Sequence, residues 1–170
     1  LSKSAILSYP PYQYTIEPTN QCNLKCVFCP QSDPQHKSCR PVGYLEESDF
    51  KIFLRRIDEA KPGNNHINLT LEGEPFINPD FIRFLELAVD NGYFPVFASN
   101  GTLLCREIAD KLIAVGRFRA SIDFASEASI YESIRGQKGH FEVVRNNLTY
   151  LMEQAGKHRG IHLDVHDISP

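Results

Sequence analysis

Two hydrophobic periodicities alternate along this chain, and that alternation limits its fold more than any other feature. Residues 13–17 (Gln-Tyr-Thr-Ile-Glu) form a short β-type run before Pro18. Ser48 is placed as an N-cap, with Phe50, Phe53, Leu54 and Ile57 following at helical spacing. Over residues 66–71, Ile67, Leu69 and Leu71 alternate with polar partners, the mark of a strand. Asn78 or Asp80 opens a second helix through Phe81, Phe84, Leu85, Ala88 and Val89, closed by Asn91-Gly92. A strand at 94–98, a helix at 106–115 ending on Gly116, and a strand at 117–122 follow. A short helix at 129–134, a longer one at 141–155 stopped by Gly156, and an alternating run at 161–168 complete the series. Residues 29–44, rich in Pro, Gln, Ser, Lys and Arg, read as a loop, and Lys-Pro-Gly-Asn-Asn within 61–66 reads as a turn. Five strands separated by helices specify parallel neighbours joined by right-handed crossovers. The sheet is then either a barrel-like arc or an open doubly wound one. Both place ligands at the C-terminal ends of the strands, so the loops after the strands are where chemistry is expected.

The chain can fill such a fold. Its 170 residues are 42% apolar and 23% charged, which is ordinary globular usage and excludes a disordered chain, a collagen or a coiled-coil rod. A net charge of −3 without a basic block gives no footprint for nucleic acid or anionic lipid. No apolar run approaches the ~20 residues of a membrane span. Residues 1–14 lack the long apolar stretch of a secretory signal. Five cysteines, three of them within eight residues, do not resemble the even, spread count of a secreted disulfide scaffold. A reducing, cytoplasmic setting is expected.

The loop after the first strand reads Cys22-Asn-Leu-Lys-Cys26-Val-Phe-Cys29. Thiolates are soft ligands, suited to zinc or to an iron–sulfur cluster. A structural zinc site closes itself with four ligands, and Cys39 or His36 would have to supply the fourth. A [4Fe–4S] cluster held by three cysteines instead leaves one iron open to a substrate or cofactor. Cys39 and Cys105 lack matching spacing and read as non-ligands.

Three further loops carry motifs in order. They are Leu71-Glu72-Gly73-Glu74-Pro75, then Ser99-Asn100-Gly101-Thr102, then Ala120-Ser121-Ile122-Asp123 followed by Ile134-Arg135-Gly136. Together with the cysteine spacing, and with Phe28 before the last cysteine, this order resembles the radical S-adenosylmethionine (radical SAM) enzymes, in their SPASM-type and sulfatase-maturing branches. The resemblance covers nearly the whole chain. It implies an α/β fold, a partial parallel (β/α)6-type barrel (an incomplete TIM barrel) with about five β/α units present. It implies that Cys22, Cys26 and Cys29 hold a [4Fe–4S] cluster whose open iron binds S-adenosylmethionine (SAM). Gly73 and Glu74 would meet the methionine end of SAM, with Ser99 and Asn100 on the next loop. Ser121 would contact the ribose or carboxylate region, Arg135 the carboxylate, and Phe28 the adenine side, while Asp123 is a candidate to face the substrate. Glu72 stands where the family usually has Gly, and Ser99 where it usually has Thr. The implied activity is reductive cleavage of SAM to a 5′-deoxyadenosyl radical that abstracts hydrogen from a peptide or small-metabolite substrate. The implied electron donor is a flavodoxin or ferredoxin. The alternative is a zinc-stabilised or iron–sulfur α/β module for binding or electron transfer, without SAM chemistry.

The last strand places His162, Asp164 and His166 on one face, read as a polar barrel lining or solvent-facing edge rather than a metal site. His66, His140 and His158 read as surface residues. The chain opens on Leu1, so it is processed or part of something longer. The family core usually has six β/α units. Residues 1–170 are therefore expected to be one catalytic core lacking its last unit and any C-terminal domain, with 161–168 as an edge strand.

Overall fold

The computed structural model describes residues 11–60 and 63–169; the first ten residues, Lys61 and Pro62 of the expected turn, and Pro170 lie outside that range. Strands β1 (Tyr14–Thr15), β2 (His66–Asn68), β3 (Phe94–Ser99), β4 (Phe118–Phe124) and β5 (Ile161–Asp167) form one sheet. Every neighbouring pair is parallel, and the spatial order is the chain order, 1-2-3-4-5. A doubly wound sheet reverses its order at a switch point. A monotonic order keeps every right-handed crossover on one face, which is the winding of a barrel arc. An α/β partial barrel of five parallel strands joined by four helical crossovers is thus the observed architecture. Among the described residues β5 pairs only with β4, so it is an edge strand, as expected.

The crossovers are α2 (Glu47–Ala60), α3 (Phe81–Asp90), α4 (Arg106–Val115) and the pair α5 (Ala128–Arg135) and α6 (His140–Ala155). A five-residue helix, α1 (Pro34–Ser38), lies within the stretch expected to be a loop. Each long helix buries one stripe. In α6 the stripe is Phe141, Val144, Leu148, Leu151 and Ala155, at helical spacing. These stripes meet Ile67, Leu69, Phe97, Phe118, Ala120 and Ile122 from the sheet in one core. Phe76 and Phe97 pack edge-on to Phe81, and Phe50 lies 4.8 Å from Phe84. Each fully buried Phe contributes about 1.5–3 kcal/mol.

The helix starts differ from the expected caps. Helix α2 begins at Glu47, because Phe50 N donates to the Glu46 carbonyl, which puts Ser48 inside the first turn. Before α3, a 3₁₀ turn at Pro75–Ile77 intervenes, and the Asp80 side chain makes no cap bond. Asn78 Oδ1 instead accepts from Asp80 N. Strand β2 ends at Asn68 rather than 71, since the chain turns there into the Gly73 loop, while β4 runs on to Phe124.

The sheet face away from the helices is polar on β4 and β5. Arg119, Ser121 and Asp123 stand in register with His162, Asp164 and His166. Arg119 Nε lies 3.3 Å from Asp164, and His166 Nδ1 lies 3.6 Å from Asp123. These pairings make the face a charged lining, as expected. His66 and His158 are exposed, whereas His140 is half-buried, with its Nδ1 turned inward.

Candidate functional site

The cysteine loop leaves β1 and crosses the C-terminal mouth of the sheet. Cys26 is buried, Cys22 and Cys29 are half-buried, and all three are free thiols. Their local geometry is a set of tight turns. Cys29 N donates to the Cys26 carbonyl at 3.0 Å, and Leu24 N donates to Cys22 Sγ at 3.5 Å. Among the described residues, no three His, Cys, Asp or Glu side chains converge closely enough to share one metal ion. The candidate fourth zinc ligands are engaged elsewhere: Cys39 Sγ donates to the Gln35 carbonyl, and His36 Nε2 lies 3.0 Å from Glu72.

Two strand-end loops and one helix end brace this one. The first is the Gly73 loop. A Cβ at Gly73 would lie 1.9 Å from the Thr19 carbonyl oxygen and 2.9 Å from that of Gln21, so only glycine allows the approach. Next to it, Glu74 N donates to the Gln21 carbonyl at 2.7 Å. The Glu74 carboxylate is buried and accepts from Ser99 Oγ at 2.9 Å, Asn100 N at 2.7 Å and Phe76 N at 3.3 Å. Burial pushes this acid up to about 7, against the lowering effect of those three donors.

The second brace is the Ser99 loop. Asn100 Nδ2 donates to Asn23 Oδ1 at 2.9 Å and lies 3.8 Å from Cys22 Sγ. Asn23 in turn donates to Thr102 Oγ1 at 2.8 Å. Burial pushes the Cys22 thiol up, while the Leu24 N–H and the Asn100 amide pull it down.

The third brace is the end of α5. Val27 N donates to the Ile134 carbonyl at 2.9 Å. Arg135 is 4% exposed, and its Nη1 reaches Cys26 Sγ at 3.5 Å while Nη2 donates to the Asp123 carbonyl at 2.9 Å. Gly136 closes the helix at φ 69°, and a Cβ there would meet the Lys25 carbonyl oxygen at 2.6 Å.

The predicted residues therefore fall into two groups. Gly73, Glu74, Ser99, Asn100 and Arg135 pack against or brace the cysteine loop. Phe28, 62% exposed, projects from the cysteine loop itself, and Ser121 stands on the open sheet face in register with Asp164. Sequence reasoning missed Asn23 and Asn78. The buried Asn78 Nδ2 donates to the Pro18 and Leu45 carbonyls at 2.7 and 2.9 Å, tying the approach to the loop onto α2. It also missed the surroundings of Glu72, whose carboxylate accepts from Gln31, His36 and Arg40 at 3.2, 3.0 and 2.7 Å. His36, then Arg40, hold that acid below its ordinary value, and a cavity of about 420 Å³ opens beside it. Asn78 read as a helix opener, and nothing local marked it or Asn23 as a long-range strut.

Comparison with known proteins identifies the family and the fold. Residues 16–166 match the profile of the radical SAM superfamily. The chain is 38% identical over 128 residues to the AdoMet-dependent heme synthase of Methanosarcina barkeri, covering 74% of this chain and 35% of that protein. It is 28% identical over 142 residues to the mycofactocin maturase MftC of Mycobacterium tuberculosis, covering 83% and 34%. The chain thus spans about a third of the length of these curated relatives. Among solved structures, native anSMEcpe with bound AdoMet superposes with a TM-score of 0.69 at 20% identity, over 91% of this chain and 44% of that one. That likeness supports the partial-barrel fold. No helix among the described residues is long and apolar enough to cross a membrane.

Proposed function

The chain belongs to the radical SAM superfamily, and on that premise we propose that Cys22, Cys26 and Cys29 hold a [4Fe–4S] cluster that binds SAM at its open iron. When bound and reduced by one electron, this pair supplies a 5′-deoxyadenosyl radical that abstracts hydrogen from a substrate. The protein's part is to bind, orient and shield. The observation that carries the reading is the convergence of the three motif loops on one cysteine loop, with N–H donors aimed at two of its sulfurs. Donors of this kind support thiolate ligands and tune the metal they hold.

In this reading Gly73 brings its backbone to the methionine end of SAM. Glu74 and Ser99 are both buried, and act by holding the loops that meet it. Asn100 spans Cys22 and Asn23. Phe28 and Ser121 are free to contact the adenosine part, and Asp123, at the end of β4, faces the substrate side. The substrate is a small metabolite or a peptide; the relatives named above are a heme synthase and a mycofactocin maturase. The electron donor is a flavodoxin or ferredoxin, and the setting is the cytoplasm. Anaerobic reconstitution with iron and sulfide tests the reading. The expected result is a brown protein that converts SAM to 5′-deoxyadenosine on reduction. A colourless protein that holds one zinc and leaves SAM intact would sink it.

A further inference from the structure

The stretch that follows Cys29 is fastened to the strand ends through one acid. Glu72 Oε2 accepts from Gln31 Nε2 at 3.2 Å, His36 Nε2 at 3.0 Å and Arg40 Nη2 at 2.7 Å. Glu72 is itself held. Its N–H donates to Glu17 Oε1 at 2.9 Å, and Arg40 Nη1 donates to Glu17 Oε2 at 2.8 Å. One carboxylate thus links the chain just past β1, the chain just past β2 and three points along residues 31–40. Packing there is open: a cavity of about 420 Å³ lies among Asn20, Gln21, Lys37, Arg40 and Glu72, so polar bonds hold the stretch in place. Gln31 is the point that bears on the cysteine loop. It is 4% exposed, and its Oε1 is buried with no partner. An unpaired buried carbonyl is costly, so burial alone does not keep this amide in place. Among the described residues, its side chain has one hydrogen bond, the one to Glu72. The backbone around Gln31 joins two of the cysteines. Ser32 N donates to the Cys29 carbonyl at 2.9 Å, and Ser32 Oγ and Cys29 N donate to the Cys26 carbonyl at 2.6 and 3.0 Å.

We propose, resting on the cluster reading above, that Glu72 is a positioning residue for the third cysteine: acting through Gln31, it holds the turn that presents Cys29 to the cluster. Groups one step removed from a metal ligand orient it and set how firmly the metal is kept. His36 and Arg40 aim the acid, and Glu17 steadies both Arg40 and the Glu72 backbone. Without the Glu72 carboxylate the Gln31 amide has no bond to keep it from water, and the turn after Cys29 loosens.

The test compares wild type, Glu72→Ala, Glu72→Gln, Gln31→Ala and the double variant Glu72→Ala/Gln31→Ala after anaerobic reconstitution. Iron and sulfide are counted, the rate of iron loss from the oxidised protein to EDTA is followed, and urea midpoints are read on iron-free protein. Glu72→Ala and Gln31→Ala are each expected to lose iron about tenfold faster than wild type. The double variant is expected to be no faster than either single one, because both changes remove the same contact. Glu72→Gln, which keeps an acceptor oxygen for Gln31, is expected to stay within about threefold of wild type. The urea midpoint of Glu72→Ala is expected to fall by less than about 0.5 M, since partly exposed ion pairs add little to stability. Iron loss from Glu72→Ala within about twofold of wild type overturns the inference. So does a double variant about a hundredfold faster, which would mean that the two side chains act separately. A fall of about 2 M in the midpoint, with no recovery in Glu72→Gln, makes Glu72 merely structural and overturns it too. A wild-type protein that takes up no iron and sulfide overturns the cluster reading itself, an outcome distinct from these. Should Glu72→Ala fail to fold, the pair is exchanged. Gln31→Glu alone sets two carboxylates against each other and is expected to speed iron loss, and adding Glu72→Gln is expected to restore the slow rate. A failure of the exchange to restore it overturns the contact.

Discussion

Replacing Gly73 with Ala should be among the most damaging single-methyl additions this fold can receive. The new Cβ would sit 1.9 Å from the Thr19 carbonyl oxygen, 2.8 Å from its carbon and 2.9 Å from the Gln21 oxygen. All three atoms are backbone, so no side chain can swing aside. The Thr19 segment is itself held: Thr19 is 2% exposed, and its hydroxyl donates to the Gly43 carbonyl and accepts from Gln21 N. The backbones must part by more than 1 Å, and the 2.7 Å bond from Glu74 N to the Gln21 carbonyl goes with them. Overpacking costs about 1–3 kcal/mol, and leaving that buried pair unmade adds about 1–3 kcal/mol. The sum is on the order of 4 kcal/mol against a total stability of about 5–15 kcal/mol. With a urea slope of about 2 kcal/mol/M, the midpoint should fall by about 2 M. Circular dichroism at 222 nm on iron-free protein measures this without interference from metal linkage. The same variant should take up less iron, because Gln21 leads directly into Cys22. A midpoint within about 0.3 M of wild type would refute the claim that this close approach positions the cysteine loop.

Asn78→Ala removes a buried side chain that serves the Pro18 and Leu45 carbonyls and Asp80 N, and should cost about 2–4 kcal/mol in the same urea assay. Cys26→Ala should keep the far-UV spectrum of the fold but fail to retain iron and sulfide after reconstitution; full cluster content in that variant would contradict the ligand assignment. The pH prediction concerns Glu74, whose folded pKa of about 7 lies above the ordinary 4.5. Between those values the native state binds more protons than the unfolded one, so the stability contributed by this group falls as pH rises and is fully lost above about 7. The loss is on the order of 3 kcal/mol. Urea midpoints from pH 5 to 8 should therefore decline more steeply in wild type than in Glu74→Gln, and parallel curves would refute the assignment.

Local sequence was enough wherever the physics was local. Helix α4 was legible to the residue, because its apolar stripe has the helical period and Gly116 ends it in the left-handed region at φ 74°. The three cysteines were legible as one close-set group because eight residues of chain confine them. The parallel sheet with right-handed crossovers followed from strand and helix periods in alternation, while the barrel arc, rather than a doubly wound sheet, came from the family resemblance. Ser48 failed as a cap because capping depends on where the preceding turn delivers the chain, and Glu46 took the first bond instead.

What the sequence by itself determined is therefore the element order, the parallel sheet and the identity of the cysteine loop. Each of these rests on spacing within about twenty residues. Only the tertiary structure decided how the other motifs serve that loop. Arg135 meets Cys26 across 109 positions, Asn100 meets Cys22 across 78, and Asn78 meets Pro18 across 60. Such meetings depend on strand register and helix placement, which bring the C-terminal ends of successive parallel strands to one mouth. No local preference of Arg, Asn or Gly encodes which distant backbone it will face there.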